Sequence, residues 1–462
     1  MLNDFLNLEL LNISLSYPFL FLIASAIVIL LCASFWKFHR SFYISMSSLS
    51  LIVSVFFILN NANEQGLQAS AFFATLNNDV ISFYASLVIL FFSFLYVLMQ
   101  KEENQGEFYA LFLFMIASLL LMVSSSNLVL IFIGLEGSSL ALYTLIAMSG
   151  SNNAISSAIK YFSVAAVGSG FFVMAVALIY LKTGNLDLSI NLALKNELQK
   201  DPMLLGAGVM IFVLCAIKLS LVPFHFWLKD VYYGAHTNLV AFISVVPKIA
   251  ILVVIIRLFD FLNNTGFEYI IMILSVFSML AGALAALSQK NIKKMFAYSS
   301  VVHSSLVLIA CIPLLQGQNF DGILLSIFGY WTLFAFANYA VFMILSNYEH
   351  YSYESLNGLL LKKPLIAFCL SICVLSLAGI PPFGVFWGKF MILNVAILNG
   401  YWYLALFMAL SSVIILYAYL KILIHVLFVK NDRVHNIKLG FMQDFILAFC
   451  VFISTFAVLL ML

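Results

Sequence analysis

The chain has 462 residues, of which 64% are hydrophobic and only 9% charged, with 21 Lys and Arg set against 19 Asp and Glu. So few charges cannot cover the outside of a soluble protein, where about 25% of residues are charged. The formal net charge of +2 gives no global field for nucleic acid or an anionic surface.

The first apolar run is preceded by Asp4 and Glu9, and no basic residue comes before Lys37. That charge pattern is wrong for a cleavable signal, so the run is expected to be a retained span. A helix needs about 20 mainly apolar residues to cross a bilayer. About fourteen segments meet that criterion, near 17–36, 41–59, 79–99, 108–124, 127–148, 157–181, 204–224, 239–259, 269–288, 295–315, 321–346, 364–398, 401–428 and 443–462. They are too long for strands and lack alternation. The expected fold class is an all-α polytopic membrane protein, and the longest polar loop covers about 182–203.

Lys and Arg set the orientation. With the N-terminus outside, the inner loops carry Lys37, Arg40, Lys101, Lys229, Lys290, Lys293, Lys294, Lys362, Lys363, Lys430, Arg433 and Lys438, and the outer loops only Lys182, Lys195, Lys200 and Arg257. This asymmetry favours both termini outside.

Five lysines remain within spans, Lys160, Lys218, Lys248, Lys389 and Lys421, with Glu136 as the acid in mid-span. A charge at the bilayer centre costs about 2.5 to 3.5 kcal/mol, so such residues normally line a polar interior and mark ion or proton routes. Snorkelling to the headgroups is the alternative, strongest for Lys421 near the inner end of its span. For Glu136 a static ion pair joining two helices is another. A buried lysine suits proton transfer because burial favours its neutral amine while a nearby carboxylate favours the ammonium. Moving a carboxylate towards or away from a lysine therefore loads or unloads a proton.

Proline interrupts two spans, at Pro223 and at Pro381 and Pro382. Proline frees backbone groups that lipid tolerates only where protein or a water-filled cavity satisfies them. Broken helices in corresponding places mark transporters built from repeats. Lys218 lies just before the first break and Lys389 just after the second; Pro247, beside Lys248, is either a third local defect or a plain kink. The broken spans are five apart, so two inverted five-helix repeats are expected. The chain would divide into an N-terminal three-helix segment (1–106), repeats at 107–268 and 269–430, and a C-terminal helix (431–462).

His225, His303 and His425 are candidate relays, since an imidazole both accepts and donates a proton near neutral pH. His303 lies in the polar run Tyr298, Ser299, Ser300, His303, Ser304, Ser305, while a histidine hydrogen-bonded to a neighbouring helix is the plain alternative for each. The six cysteines form no C-x-x-C pair, and Cys369 and Cys373, on one helix face, read as buried thiols. Gly168 and Gly170 do not begin a G-x-G-x-x-G series and no Walker-type loop occurs, so any redox cofactor or nucleotide is expected on another chain.

The string Ile133 to Glu136, the run from Lys218 through Pro223, His225 and Trp227 to Ala235, the step Pro247, Lys248, Ile249, Ala250, and the stretch Gln289, Asn291, Lys293, Lys294, Ala297, Tyr298 to His303 resemble the antiporter-like membrane subunits of respiratory complex I. Gly379, Ile380, Pro381, Pro382, Phe386 and Lys389 fit the same family, and the resemblance covers roughly residues 70–430. It implies fourteen helices with two inverted five-helix repeats and proton translocation coupled to quinone reduction in partner subunits. Glu136 and Lys218 would be the coupled pair, Lys248 the central relay, Lys389 the exit-side residue and Lys160 a modulator. It also implies that FMN, iron–sulfur clusters and quinone belong to partner subunits of the membrane complex, with no cofactor or metal in this chain. Lys229 and His236 stand where relatives commonly have proline. A subunit of a multi-subunit cation/proton antiporter and a membrane scaffold are the alternatives.

Overall fold

The computed structural model describes residues 11–36, 38–100, 105–188, 201–262, 265–317, 320–431, 437 and 439–457. Asp4, Glu9, Lys37, Lys101, Lys195, Lys200, Arg433 and Lys438 lie outside the described residues.

Among the described residues, twelve helices are long and apolar enough to cross a membrane, accompanied by three shorter apolar ones, Pro364–Ala378, Gly384–Leu398 and Phe441–Phe456. The principal helices in chain order are α1 (Tyr17–Phe35), α2 (Arg40–Gln65), α3 (Val80–Met99), α4 (Gly106–Ser124), α5 (Leu128–Ala147), α6 (Asn152–Thr183) and α7 (Pro202–Leu219). They continue with α8 (Phe226–Gly234), α9 (Thr237–Ile243), α10 (Val246–Phe261), α11 (Glu268–Leu287), α12 (Ile292–Cys311), α13 (Phe320–Leu345), α14 (Pro364–Ala378), α15 (Gly384–Leu398), α16 (Trp402–Leu427) and α17 (Phe441–Phe456). The spans are all helical, and one connection carries a short antiparallel hairpin, β1 (Gln68–Ala71) and β2 (Leu76–Asp79), with Ala69 opposite Asn78. The segment lies between spans, where pairing its backbone groups removes their need for other partners.

Two compact units organise the chain, the first from Met1–Gly150, Ala158–Cys215 and Val246–Thr265 and the second from Ser151–Ser157, Ala216–Val245 and Gly266–Leu462. In the first, α1 packs on α2 and α4, α4 on α5, and α10 on α3 and α4. Gly134 sets the α4–α5 approach, because a Cβ there would lie 2.6 Å from the Ser118 carbonyl oxygen and 2.9 Å from the Met122 nitrogen. Helix α3 begins with a capping box: Asp79 accepts from the Ser82 amide at 2.7 Å, and the Asp79 amide donates to Ser82 Oγ at 3.0 Å. Such a cap contributes about 1 kcal/mol.

In the second unit α11 packs on α12 and α16, while α13 meets α9, α14, α15 and α17. Helix α12 is almost wholly buried; α11 leaves Ile270, Ile273, Phe277 and Leu284 exposed.

Several cations expected in loops lie in helices instead, among them Arg40 at the start of α2, Lys182 in the last turn of α6 and Lys362 in a short helix (Leu359–Lys362). Lys229 is in α8, Arg257 in α10, and Lys293 and Lys294 in the first turn of α12, whose N-cap Asn291 accepts from the Lys294 amide at 3.1 Å. Arg257 bonds Asp79 at 3.2 Å and the Val123 carbonyl at 2.9 Å, which compensates a guanidinium inside a helical span.

Candidate functional site

The first break divides the span expected at 204–224. Helix α7 stops at Leu219, Ser220 takes a left-handed conformation (φ 62°), the Val222–Pro223 bond is cis, and α8 starts at Phe226. The freed backbone groups find partners. The Leu221 amide donates to the Ala216 carbonyl at 2.9 Å, the Val222 amide to Ser278 Oγ at 2.9 Å, and the Trp227 indole to the Ile217 carbonyl at 3.1 Å. Without those acceptors the Leu221 and Val222 amides would be unsatisfied inside the span. Lys218 is buried in the last turn of α7. His225 caps the start of α8, and its Nδ1 is buried without a hydrogen-bond partner.

The second break repeats this chemistry. Helix α14 ends at Ala378, Gly379 is left-handed (φ 81°), Pro381–Pro382 is cis, and α15 begins at Gly384. Again a serine and an indole serve the backbone: the Val385 amide donates to Ser376 Oγ at 3.3 Å and the Trp387 indole to the Pro382 carbonyl at 3.1 Å. Lys389, half-buried, reaches back to donate to the Ala378 carbonyl at 2.9 Å.

A third interruption stands just before Lys248. Helix α9 ends at Ile243 and α10 resumes at Val246. Asn338 donates to Ser244 Oγ at 2.6 Å and the Trp331 indole to the Val245 carbonyl at 3.1 Å. Of the two readings of Pro247, a local defect or a plain kink, the turn at Ser244 and Val245 favours the first, placed just before the proline. Lys248 itself is only 2% exposed, so its ammonium is held away from solvent.

Glu136 on α5 is half-buried and accepts a hydrogen bond from the Ser169 hydroxyl on α6. Lys160, also on α6, lies on an exposed side of this chain rather than in its interior. His303 is 1% exposed and bonds two tyrosine hydroxyls, Tyr330 through Nδ1 and Tyr419 through Nε2. Lys421, the strongest case for snorkelling, and His425, a candidate relay, both have partners at helix ends or loops. Lys421 donates to the Leu287 carbonyl at the end of α11 at 2.8 Å, where a cation complements the helix dipole. His425 Nδ1 pairs with Asn357 Oδ1 at 2.7 Å.

Lys293, expected as an inner-loop cation, is buried in a helix. It is 1% exposed and donates to the Ala235 carbonyl, just beyond α8, at 2.7 Å and to the Tyr233 carbonyl in the last turn of α8 at 3.4 Å, with Nζ 4.6 Å from the centre of the Tyr351 ring. Its neighbours Lys290 and Lys294 gave it the look of a loop cation; the signal that placed it in a helix was Asn291, an N-cap residue two positions before. Ser169, Ser278 and Ser376 were missed, since a serine's partner is fixed by tertiary packing. Among the described residues no group of three or more His, Cys, Asp or Glu could hold a metal ion, and the six cysteines are free thiols.

Apolar spans broken at prolines, with buried lysines beside the breaks, define a polytopic ion-transport protein of the antiporter-like class. The family model described as NADH:quinone oxidoreductase/Mrp antiporter, TM, matches residues 125–415. NADH-quinone oxidoreductase subunit N of Campylobacter jejuni (strain RM1221) is 87% identical over 100% of both chains. The subunit N of Campylobacter lari is 51% identical over 99% of both, and that of Helicobacter hepaticus 38% over 91% of this chain and 88% of its own. Among solved structures, a chain of respiratory complex I from Thermus thermophilus with bound aureothin superposes with a TM-score of 0.82 at 25% identity, covering 96% of this chain and 98% of that one. A chain of the Mrp complex from Dietzia shares the fold, with a TM-score of 0.78 at 19% identity over 90% of this chain and 80% of its own. The chain belongs to the NADH:quinone oxidoreductase/Mrp antiporter membrane family, in its subunit N branch.

Proposed function

We propose that the chain is a proton-translocating membrane-arm subunit of a respiratory NADH-quinone oxidoreductase in a bacterial inner membrane, itself without a redox centre. The observation that carries this reading is the set of lysines inside apolar spans, Lys218 and Lys248 buried and Lys389 bonded across a helix break. An intramembrane charge is expensive and is retained where it moves ions or protons. Quinone reduction in partner subunits, where FMN and iron–sulfur clusters reside, would displace charge at Glu136. Lys218 then releases or takes up a proton, Lys248 and His303 relay it, His225 serves the first break, Lys389 delivers it to the outer face, and Lys160 modulates the charge at Glu136.

Three further features belong to the same proposal. A proline break with a lysine beside it, recurring five spans later, supports two inverted repeats, at 107–268 and 269–430, within a fourteen-span chain whose broken spans are opened at Pro223 and at Pro381 and Pro382. The excess of basic residues in alternate loops supports both termini on the outer side. The chain's neighbours are the lipid bilayer and other membrane-arm subunits.

Proton uptake and electron transfer measured together in inverted membrane vesicles test the reading. Lys218→Ala in an assembled complex is expected to move fewer protons per electron. An unchanged ratio overturns it, and cation-dependent proton exchange without any electron donor would identify an antiporter subunit instead.

A further inference from the structure

The polar groups around His303 form a chain that the buried lysines do not explain. Ser299 and His303 stand one turn apart on α12, Tyr330 is on α13 and Tyr419 on α16, and all four are buried in the second unit. The Tyr330 hydroxyl is hydrogen-bonded to His303 Nδ1, His303 Nε2 lies 3.0 Å from the Tyr419 hydroxyl, and that hydroxyl is hydrogen-bonded in turn to Ser299 Oγ. Phe334 covers the imidazole with ring centres 4.5 Å apart, and Phe296 lies beside Tyr419. The result is an unbroken series, Tyr330, His303, Tyr419, Ser299, in an apolar wall.

Every member of the series both donates and accepts. A static histidine needs one partner to fix its tautomer; this one has a reversible partner on each nitrogen. We propose that Tyr330, Tyr419 and Ser299 form with His303 a proton wire whose polarity is set by the tautomer of the imidazole. The inference rests on the proton-translocation reading above and adds three residues to it.

One passage balances as follows. At the start Tyr330 donates to Nδ1, the Nε2 proton is donated to Tyr419, and Tyr419 donates to Ser299. A proton arriving on Tyr330 Oη forms a new O–H bond as the original one breaks and its proton moves to Nδ1. The Nε2 proton moves to Tyr419, the Tyr419 proton to Ser299, and the Ser299 proton leaves to the next acceptor. One proton enters, one leaves, and no member keeps a net charge. The imidazole has changed tautomer, so a second proton cannot follow in the same direction until the hydroxyls turn and the imidazole reorients with its N–H again towards Tyr419. That is the behaviour of a gated step rather than an open channel.

The Tyr330 end has an evident neighbour. A Cβ at Gly388 would lie 2.9 Å from Tyr330 Cα, so α15 presses on α13 at this point. Gly388 directly precedes Lys389, which places the wire's end beside the helix that carries that lysine.

The test uses Tyr419→Phe and Tyr330→Phe, which remove only a hydroxyl, in the assembled complex in inverted vesicles. Lys218→Ala is measured beside them, with Tyr401→Phe as the control because the Tyr401 hydroxyl is buried without a partner. A lower proton-to-electron ratio is expected in the two wire variants and the wild-type ratio in Tyr401→Phe. A wild-type ratio in both wire variants while Lys218→Ala lowers it overturns the wire alone; a wild-type ratio in all overturns the reading beneath it. Equal losses in Tyr401→Phe and the wire variants also overturn the wire. Should the tyrosine variants fail to assemble, Ser299→Ala decides, with a lowered ratio supporting the wire and an unchanged one overturning it.

Discussion

The ammonium of Lys389 is bonded across the break in its own span, donating at 2.9 Å to the carbonyl of Ala378, the last residue of α14. The bond places a cation at a helix C-terminus, where the dipole favours it. Its stem passes directly over Gly379, so the glycine, the freed carbonyl and the lysine are one arrangement.

Gly379 therefore controls where the lysine points. It is left-handed (φ 81°), and a Cβ there would lie 2.8 Å from both Nζ and Cδ of Lys389. An L residue in that backbone region costs about 1–2 kcal/mol, and the flexible lysine, rather than the backbone, would give way. Gly379→Ala is expected to assemble with a lowered proton-to-electron ratio, measured in inverted vesicles, and Lys389→Met is expected to do the same. A full ratio in Gly379→Ala would mean that the bond to Ala378 has no part in pumping.

The first break makes a prediction about stability. Trp227 is 3% exposed, and its indole is the donor to the Ile217 carbonyl. Trp227→Phe keeps an aromatic ring but leaves that carbonyl with only the Ser220 amide, which donates to it at 3.0 Å, so the lost hydrogen bond costs about 0.5–1.5 kcal/mol. The variant complex is expected to fall apart at a lower temperature in detergent, followed on native gels, whereas the exposed Trp402 should tolerate the same change. Equal melting of both variants would show that the carbonyl is satisfied in another way.

The sequence exposed the membrane class and the residues whose placement is costly, for one physical reason: a lysine deep in an apolar run has few inexpensive places to go. Lys218 and Lys248 were legible on that ground, as were the breaks at Pro223 and Pro381. Lysines near span ends were not, because the run of charges that marks a loop also marks a first helical turn; Lys293 is buried and was read as a loop cation. Lys160 shows the converse limit, since its apolar neighbourhood in sequence says nothing about which side of α6 faces the rest of the chain. The serines at the breaks and beside Glu136 were illegible because their hydroxyls are set by contacts far apart in sequence, 56 residues between Val222 and Ser278 and 33 between Glu136 and Ser169. The tyrosines around His303 belong to the same group. Sequence marked the histidine and its serines, but not the two hydroxyls that arrive from α13 and α16.

Asp79 has two separable duties in the first unit. Its carboxylate accepts from the Ser82 amide at the start of α3 and pairs with Arg257 at 3.2 Å. Arg257 is 8% exposed and Asp79 37%. Removing one partner of a fully buried pair costs about 3–5 kcal/mol; the exposure of Asp79 brings this pair towards the ~1 kcal/mol of a surface bridge. Asparagine is also a good N-cap, so Asp79→Asn loses the ion pair and keeps the cap, while Asp79→Ala loses both and should cost about 1 kcal/mol more. The expected order of thermal resistance in detergent is wild type, then Asp79→Asn, then Asp79→Ala. Identical behaviour of the two variants would show that the cap adds nothing at this helix start. Wild-type behaviour of Asp79→Asn would show that the Val123 carbonyl, which Arg257 also holds at 2.9 Å, is partner enough for the guanidinium.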